Sequence, residues 1–283
     1  MRKLLFILPL AMLLAVVPAE AKKKNQAIKS ESPSCSPKEL AAMHDSIAHE
    51  GYRLALKEQL AWIAEDVFYA NCNRQDMMQG SLISGASGKY NAIFFNLDTR
   101  QCIYEVRINM KEYETLGIDS IRPLTDKEVA KIKLQDRLYN GVYGLDIDIQ
   151  EPPQGCSFNF DWLYVGENRY RVYGIMGCST PHVIPWGNDF SYDCDSLGNV
   201  LEQRKYHHSL ILTPTIVDGK KVTLVSHSHT ELHPLISATD IAIFLLYGED
   251  LNEFTVLSGG VYYRYNKQSN RIDIVDNPGK SNK

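Results

Sequence analysis

The sequence predicts an α+β fold in which helices flank a mixed or antiparallel sheet, and three observations carry that expectation. Apolar residues recur at helical spacing over a long stretch after residue 38. From about residue 158, short strand-like runs follow one another between turn signals. One late helical pattern interrupts those runs before strands resume near residue 254. A mixed or antiparallel sheet with flanking helices suits that order.

Taken from the start, Arg2 and Lys3, an apolar run over 4–17 and the small-residue pattern Ala19-Glu20-Ala21 read as a cleavable leader over 1–21. No later segment approaches about 18 uninterrupted apolar residues. The mature chain is therefore expected to be exported, periplasmic or secreted, without an integral membrane segment. Residues 22–37, rich in Lys, Ser and Pro, read as a flexible linker. A helix is expected over about 38–69, because Leu40, Ile47, Leu54, Ala61 and Phe68 repeat every seven residues. His44 and His49 on it read as surface or rim histidines. Residues 80–88 read as a Ser/Gly-rich link, and 90–97 with 101–109 as a hairpin around Asp98-Thr99-Arg100. Thr125-Asp126-Lys127-Glu128 is a capping box that opens a second helix, ending near Tyr139. Residues 38–140 thus form an N-terminal helix, hairpin and helix region, and 141–283 a second domain.

In that second domain, 158–165 and 169–176 flank Gly166-Glu167-Asn168, and 190–194 and 200–206 flank a five-residue turn. The runs 210–217 and 222–225 flank Asp218-Gly219, a favoured tight-turn pair. A helix to about residue 250 and strands over 254–257 and 261–265 complete the pattern. Net charge is −4 and no basic face with interleaved aromatics is present, which argues against nucleic acid as a partner. Six cysteines (35, 72, 102, 156, 178 and 194) permit disulfides without fixing their pairing, and no Cys-x-x-Cys pair exists. Trp62, Trp162 and Trp186 read as core or rim aromatics.

Chemistry concentrates in Ser226-His227-Ser228-His229-Thr230-Glu231-Leu232-His233-Pro234-Leu235-Ile236-Ser237-Ala238-Thr239-Asp240. On a strand, side chains two apart share a face, so His227 and His229 can converge on one ion. Ser237 and Asp240, three apart at a helix start, also share a face. Ser237 suits an N-cap, and its hydroxyl either caps the helix or projects into the site. Two imidazoles and one carboxylate leave the fourth tetrahedral position for water, the mark of a catalytic zinc site. His233 reads as a bystander. At His207-His208, adjacent strand residues face opposite sides, so at most one can join a metal site, and one buried with one exposed is the expectation.

His227-x-His229, seven residues, Ser237, two residues, Asp240 resembles the signature of the JAMM/MPN-plus (JAB-type) zinc metallopeptidases. The resemblance covers about residues 160–266 and is most specific between 227 and 240. It implies an MPN/JAB-like (cytidine-deaminase-like) fold for the C-terminal domain. It also implies Zn2+ as cofactor, with His227, His229 and Asp240 as ligands and Ser237 as the hydroxyl that helps hold an oxyanion. One departure is Thr230, where the family usually has proline after the second histidine.

The family's general base is a glutamate three residues before the first glycine of a Gly-apolar-apolar-Gly strand. Arg171-Val172-Tyr173-Gly174-Ile175-Met176-Gly177 resembles that strand but puts Arg171 in the place, and arginine cannot act as a base at neutral pH. Glu167, from the preceding turn, is the candidate base, with Glu202 and His182 as alternatives. The activity implied is hydrolysis of peptide or isopeptide (lysine-linked) amide bonds in a peptide or protein substrate. The alternative is an MPN-like binding or scaffold module with a vestigial or structural metal site.

Overall fold

The computed structural model describes residues 36–119, 121–145, 147–207, 209–230 and 233–276. The expected leader, and the linker up to residue 35, lie outside the described residues. Helix α1 (Pro37–Asn71) opens on a capping box between Ser36 and Glu39, with proline in its first turn. Strands β1 (Gly80–Ala86), β2 (Lys89–Asn96), β3 (Gln101–Asn109) and β4 (Glu114–Ile118) form an antiparallel meander, and β5 (Arg122–Pro123) pairs with β3. The expected link over 80–88 is therefore a strand and its turn. Its Ser and Gly residues pair in register with β2, and Ser87 and Gly88 take the positive φ that a tight hairpin needs. Helix α2 (Asp126–Val142) starts at the Thr125–Glu128 capping box, as the sequence implies.

The second half begins with the long hairpin of β6 (Cys156–Gly166) and β7 (Arg169–Cys178). Then come β8 (Val183–Gly187), β9 (Phe190–Cys194), β10 (Val200–Lys205), β11 (Leu210–Pro214), β12 (Ile216–Val217) and β13 (Lys220–Lys221). Strand β14 (Val225–Ser228), helix α3 (Ala238–Tyr247) and strands β15 (Glu253–Ser258), β16 (Val261–Asn266) and β17 (Arg271–Val275) end the described chain. One sheet runs β10-β9-β7-β6, a second β14-β15-β16-β17, and β11 pairs with β8. Only β14 and β15 are parallel among the described pairs, because α3 supplies the crossover a parallel pair requires. The fold is thus α+β with antiparallel sheets and one mixed sheet.

Helix α3 is buried over nearly its whole circumference, so it is a core element rather than a surface one. Its Ile241, Ala242, Ile243 and Phe244 pack with Trp186, Phe254, Val256 and Tyr265, and with Ala48, Leu54 and Ala55 of α1. The other half of α1, from Leu60 to Phe68, packs on the meander instead. One helix therefore serves both cores, across the division expected near residue 140. Contact with α3 is close at Gly51, where a Cβ would meet Ile241 Cβ at 2.6 Å and the Ala238 carbonyl at 2.7 Å. His44 departs from the expected rim: it is buried edge-on to Tyr263. Among the described residues no helix is long and apolar enough to cross a membrane.

Between α1 and β6, Glu58 is buried beside Asp161, with Asn159 Nδ2 donating to it at 3.2 Å. Burial, then the neighbouring Asp161, lift its pKa from the ordinary 4.5 to about 8. A carboxyl with a raised folded-state pKa contributes stability that is full below 4.5 and is lost as pH rises through about 8. Glu58→Gln keeps the neutral shape and removes that loss. The variant is expected to gain on the parent by up to about 4 kcal/mol between pH 5 and pH 9. Parallel melting curves at the two pH values check this, and a pH-independent difference would refute it.

Candidate metal centre

The crossover places the site. His227 lies on β14 opposite Val256 of β15, and burial alternates along the strand so that Val225 and His227 face inward. Its ring lies 4.8 Å from the Trp186 ring and stacks over Phe254. His229 follows just past the strand end, its N–H donating to the Leu257 carbonyl at 2.9 Å. Asp240 sits in the first turn of α3. The site therefore lies where a parallel strand ends and the next helix begins, a recurrent position for ligand sites in sheets with helical crossovers.

Ser237 caps that helix. Its Oγ accepts the Asp240 N–H at 3.0 Å, while Asp240 Oδ2 accepts from the Ser237 N–H and hydroxyl, each at 2.8 Å. Of the two roles the sequence leaves open, the hydroxyl takes the cap. This capping box fixes the carboxylate, leaving Oδ1 turned toward the histidines.

Four donors converge, not three. Among the described residues, His207, His227, His229 and Asp240 bring one ligand atom each to within 4.8 Å of one another. His229 Nε2 is 2.9 Å from His207 Nε2 and 3.1 Å from His227 Nε2. Asp240 Oδ1 lies 3.2 Å from His207 Nε2 and 3.1 Å from His227 Nε2, and Oδ2 is 3.2 Å from His229 Nε2. Bonds of about 2.0 Å to a tetrahedral ion set donors roughly 3.3 Å apart, so the four sites are close to that spacing. Asp240 Oδ1 is buried without a hydrogen-bond partner, and three imidazole nitrogens point at one another across the same small volume. An orphaned carboxylate oxygen amid facing nitrogens fits a cation. The group can hold a metal ion.

His207 arrives from the link between β10 and β11. Its approach depends on Gly187, whose φ is +80° and where a Cβ would meet the Ser209 carbonyl at 2.2 Å and His207 Cβ at 3.0 Å. Asn188 also has positive φ, and its side chain is held by the Gln150 backbone at 2.8 Å on both atoms. This turn delivers the buried Asp189, whose Oδ1 lies 2.6 Å from His207 Nδ1. Asp189 Oδ2 accepts from the Thr239 hydroxyl, beside Asp240. A carboxylate on the far nitrogen orients a ligating imidazole and raises its basicity. His229 is oriented similarly, through Nδ1, by the carbonyls of Leu235 at 2.7 Å and His233 at 3.0 Å. His233 thus serves the site through its backbone.

The field is strongly negative. Burial disfavours a charged His207, but Asp189 and then Asp240 outweigh it and push its pKa up to about 11. Burial opposes charge on His229 as well, and Asp240 again outweighs it. Burial would raise the Asp240 pKa, yet the surrounding His207, His229 and His227 hold it well below the carboxylate range. Two buried carboxylates demand positive charge here, supplied either by protons on the imidazoles or by a cation that displaces them.

The candidate bases are not part of this group. Glu167 is exposed at the β6–β7 turn with φ 51°, since a hairpin tip turns its side chains to solvent. Glu202 is exposed on β10 and pairs with Arg204. His182 is exposed before β8. Arg171, at the position where the resembled family carries glutamate, is held by Glu50 at 2.7 Å and Asp193 at 2.9 Å. Sequence reasoning missed His207 as a donor and Asp189 as its partner. The available signals were the His207-His208 pair before an apolar run and the Gly187-Asn188 turn before Asp189. His208 lies outside the described residues. Set against known proteins, the chain matches no family model, no curated protein and no solved structure.

Proposed function

We propose that this chain is an exported, JAMM/MPN-like module built around a zinc ion with a structural role, its functional surface serving for binding rather than hydrolysis. The observation that carries this reading is His207 in the fourth position. Structural zinc sites use four protein ligands, whereas catalytic ones keep one position open. Three imidazoles and a carboxylate at near-tetrahedral spacing suit zinc among the common divalent ions. When bound, zinc supplies the positive charge that Asp240 and Asp189 require and ties three separate segments together: the β10–β11 link, β14 and the start of α3.

A second reading, a zinc-dependent peptidase or isopeptidase acting on lysine-linked amides, is favoured by the His-x-His, Ser and Asp spacing. Zinc would contribute Lewis acidity there. This chain's own residues would have to rearrange: His207 leaving the centre, Ser237 giving up its bond to Asp240, and Glu167 reaching in from its exposed turn.

Metal analysis of the purified mature protein, with a turnover assay on a panel of lysine-acylated peptides, separates the readings. About one zinc per chain without turnover supports the structural module. Turnover that disappears in His227→Ala and His229→Ala supports the peptidase. A metal-free protein whose melting ignores chelator defeats both.

A further inference from the structure

Two cysteines outside the metal centre face each other across the longest hairpin. Cys156 opens β6 and Cys178 closes β7, and the two are direct Cα partners in that antiparallel pair. Their backbone donors point away from each other: Cys156 N donates to the Pro153 carbonyl at 2.9 Å, and Cys178 N to the Tyr247 hydroxyl at 3.1 Å. They therefore occupy a non-hydrogen-bonded position, where opposed Cα atoms approach to about 4.5 Å and side chains lie closest. That separation falls within the roughly 4.4–6.8 Å that a disulfide spans. Their sulfur atoms are 2.8 Å apart.

The other described cysteines offer no competing partner nearby. Cys72, Cys102 and Cys194 are each buried in a different apolar cluster, whereas Cys156 and Cys178 share one with Met176, flanked by Phe158 and Leu210. We infer that Cys156 and Cys178 are joined by a disulfide across the open end of the β6–β7 hairpin. The oxidant is a small-molecule or protein disulfide. One cysteine thiolate attacks it and releases a thiol, and the second cysteine then displaces the other half of the mixed disulfide. One S–S bond breaks and one forms, the chain loses two electrons and two protons, and the oxidant leaves as two thiols.

Its placement gives the bond a structural task. The Tyr247 hydroxyl that receives the Cys178 N–H belongs to the last turn of α3. Leu210, which packs on the cysteine pair, starts β11 shortly after His207. The bridge thus fastens the hairpin end beside the far end of α3 and the strand leaving the His207 link. Burial, together with the neighbouring Cys178, pushes the Cys156 thiol up to about 12.

The test is refolding of the reduced full chain in a mixed reduced and oxidised glutathione buffer, with an acid quench. Alkylation in denaturant and digestion without reductant follow. The expected product is a single linked peptide pair containing Cys156 and Cys178, lighter than the free peptides by two hydrogens, with Cys72, Cys102 and Cys194 alkylated. Full alkylation of Cys156 and Cys178, or their linkage to other cysteines, overturns the inference. As an independent reading, reductant is expected to lower the Tm of the oxidised parent by roughly 5–15 °C, and to leave the Cys156→Ala, Cys178→Ala double variant unchanged. A parent Tm indifferent to reductant also overturns it.

Discussion

Removing the metal with a tight chelator is expected to lower the Tm by at least about 10 °C, with loss of cooperative unfolding at the extreme. The scale follows from the size of the two free energies involved. Structural zinc binding is worth roughly 10–16 kcal/mol in small domains, and whole-domain stability only about 5–15. Here the loss falls on a centre that cannot relax into water. His207, His227 and Asp240 are buried, Asp240 Oδ1 has no hydrogen-bond donor of its own, and Asp189 lies directly behind His207. Without a cation, protons on the imidazoles have to balance these carboxylates, and the facing nitrogens then repel one another at 2.9 and 3.1 Å. His227→Ala with His229→Ala is expected to reproduce the chelated state and to be insensitive to added zinc. Differential scanning calorimetry with and without chelator checks both. A chelated protein melting within about 2 °C of the loaded one would rule out a structural metal.

The sequence exposed the local part of this centre and hid the distant part, for a physical reason. His227 and His229 are legible because strand periodicity puts residues two apart on one face, and Asp240 because residues three apart at a helix start share a face with the cap position. Both are short-range rules that act within one element. His207 reaches the same point through the pairing of β10 with β9 and of β11 with β8, and through a turn that only glycine at 187 allows. The residues beside His207 mark it only as one of a histidine pair before an apolar run, and the convergence itself comes from those distant pairings. The same division holds for the fold. The capping box at Thr125, the N-cap at Ser237 and the periodic face of α1 are readable locally. The strand at 80–86 is not, because its Ser and Gly residues have weak strand preference and pair only when β2 lies alongside. The burial of His44 depends likewise on a β16 tyrosine more than two hundred positions away.

Replacing His207 tests whether the centre is closed, and the expected result is a large loss of affinity with stoichiometry intact. In His207→Ala, the donors left to a metal are His227 and His229 at the end of β14 and Asp240 at the start of α3. Zinc affinity should fall by more than the roughly 10–100-fold that removal of an outer partner costs. Asp189→Asn supplies that smaller reference: it leaves four ligands in place and removes the charge of the carboxylate that orients the His207 ring from 2.6 Å and accepts from the Thr239 hydroxyl. Competition titration against a chromophoric chelator ranks the three proteins, and the order parent, Asp189→Asn, His207→Ala is required of a closed site. The peptidase reading demands a different pattern. If His207 must leave before a substrate can engage, its removal preserves or raises turnover on lysine-acylated peptides while affinity falls. A His207→Ala protein that binds zinc as tightly as its parent would show that the fourth donor lies idle, and the structural role assigned to the ion would fail with it.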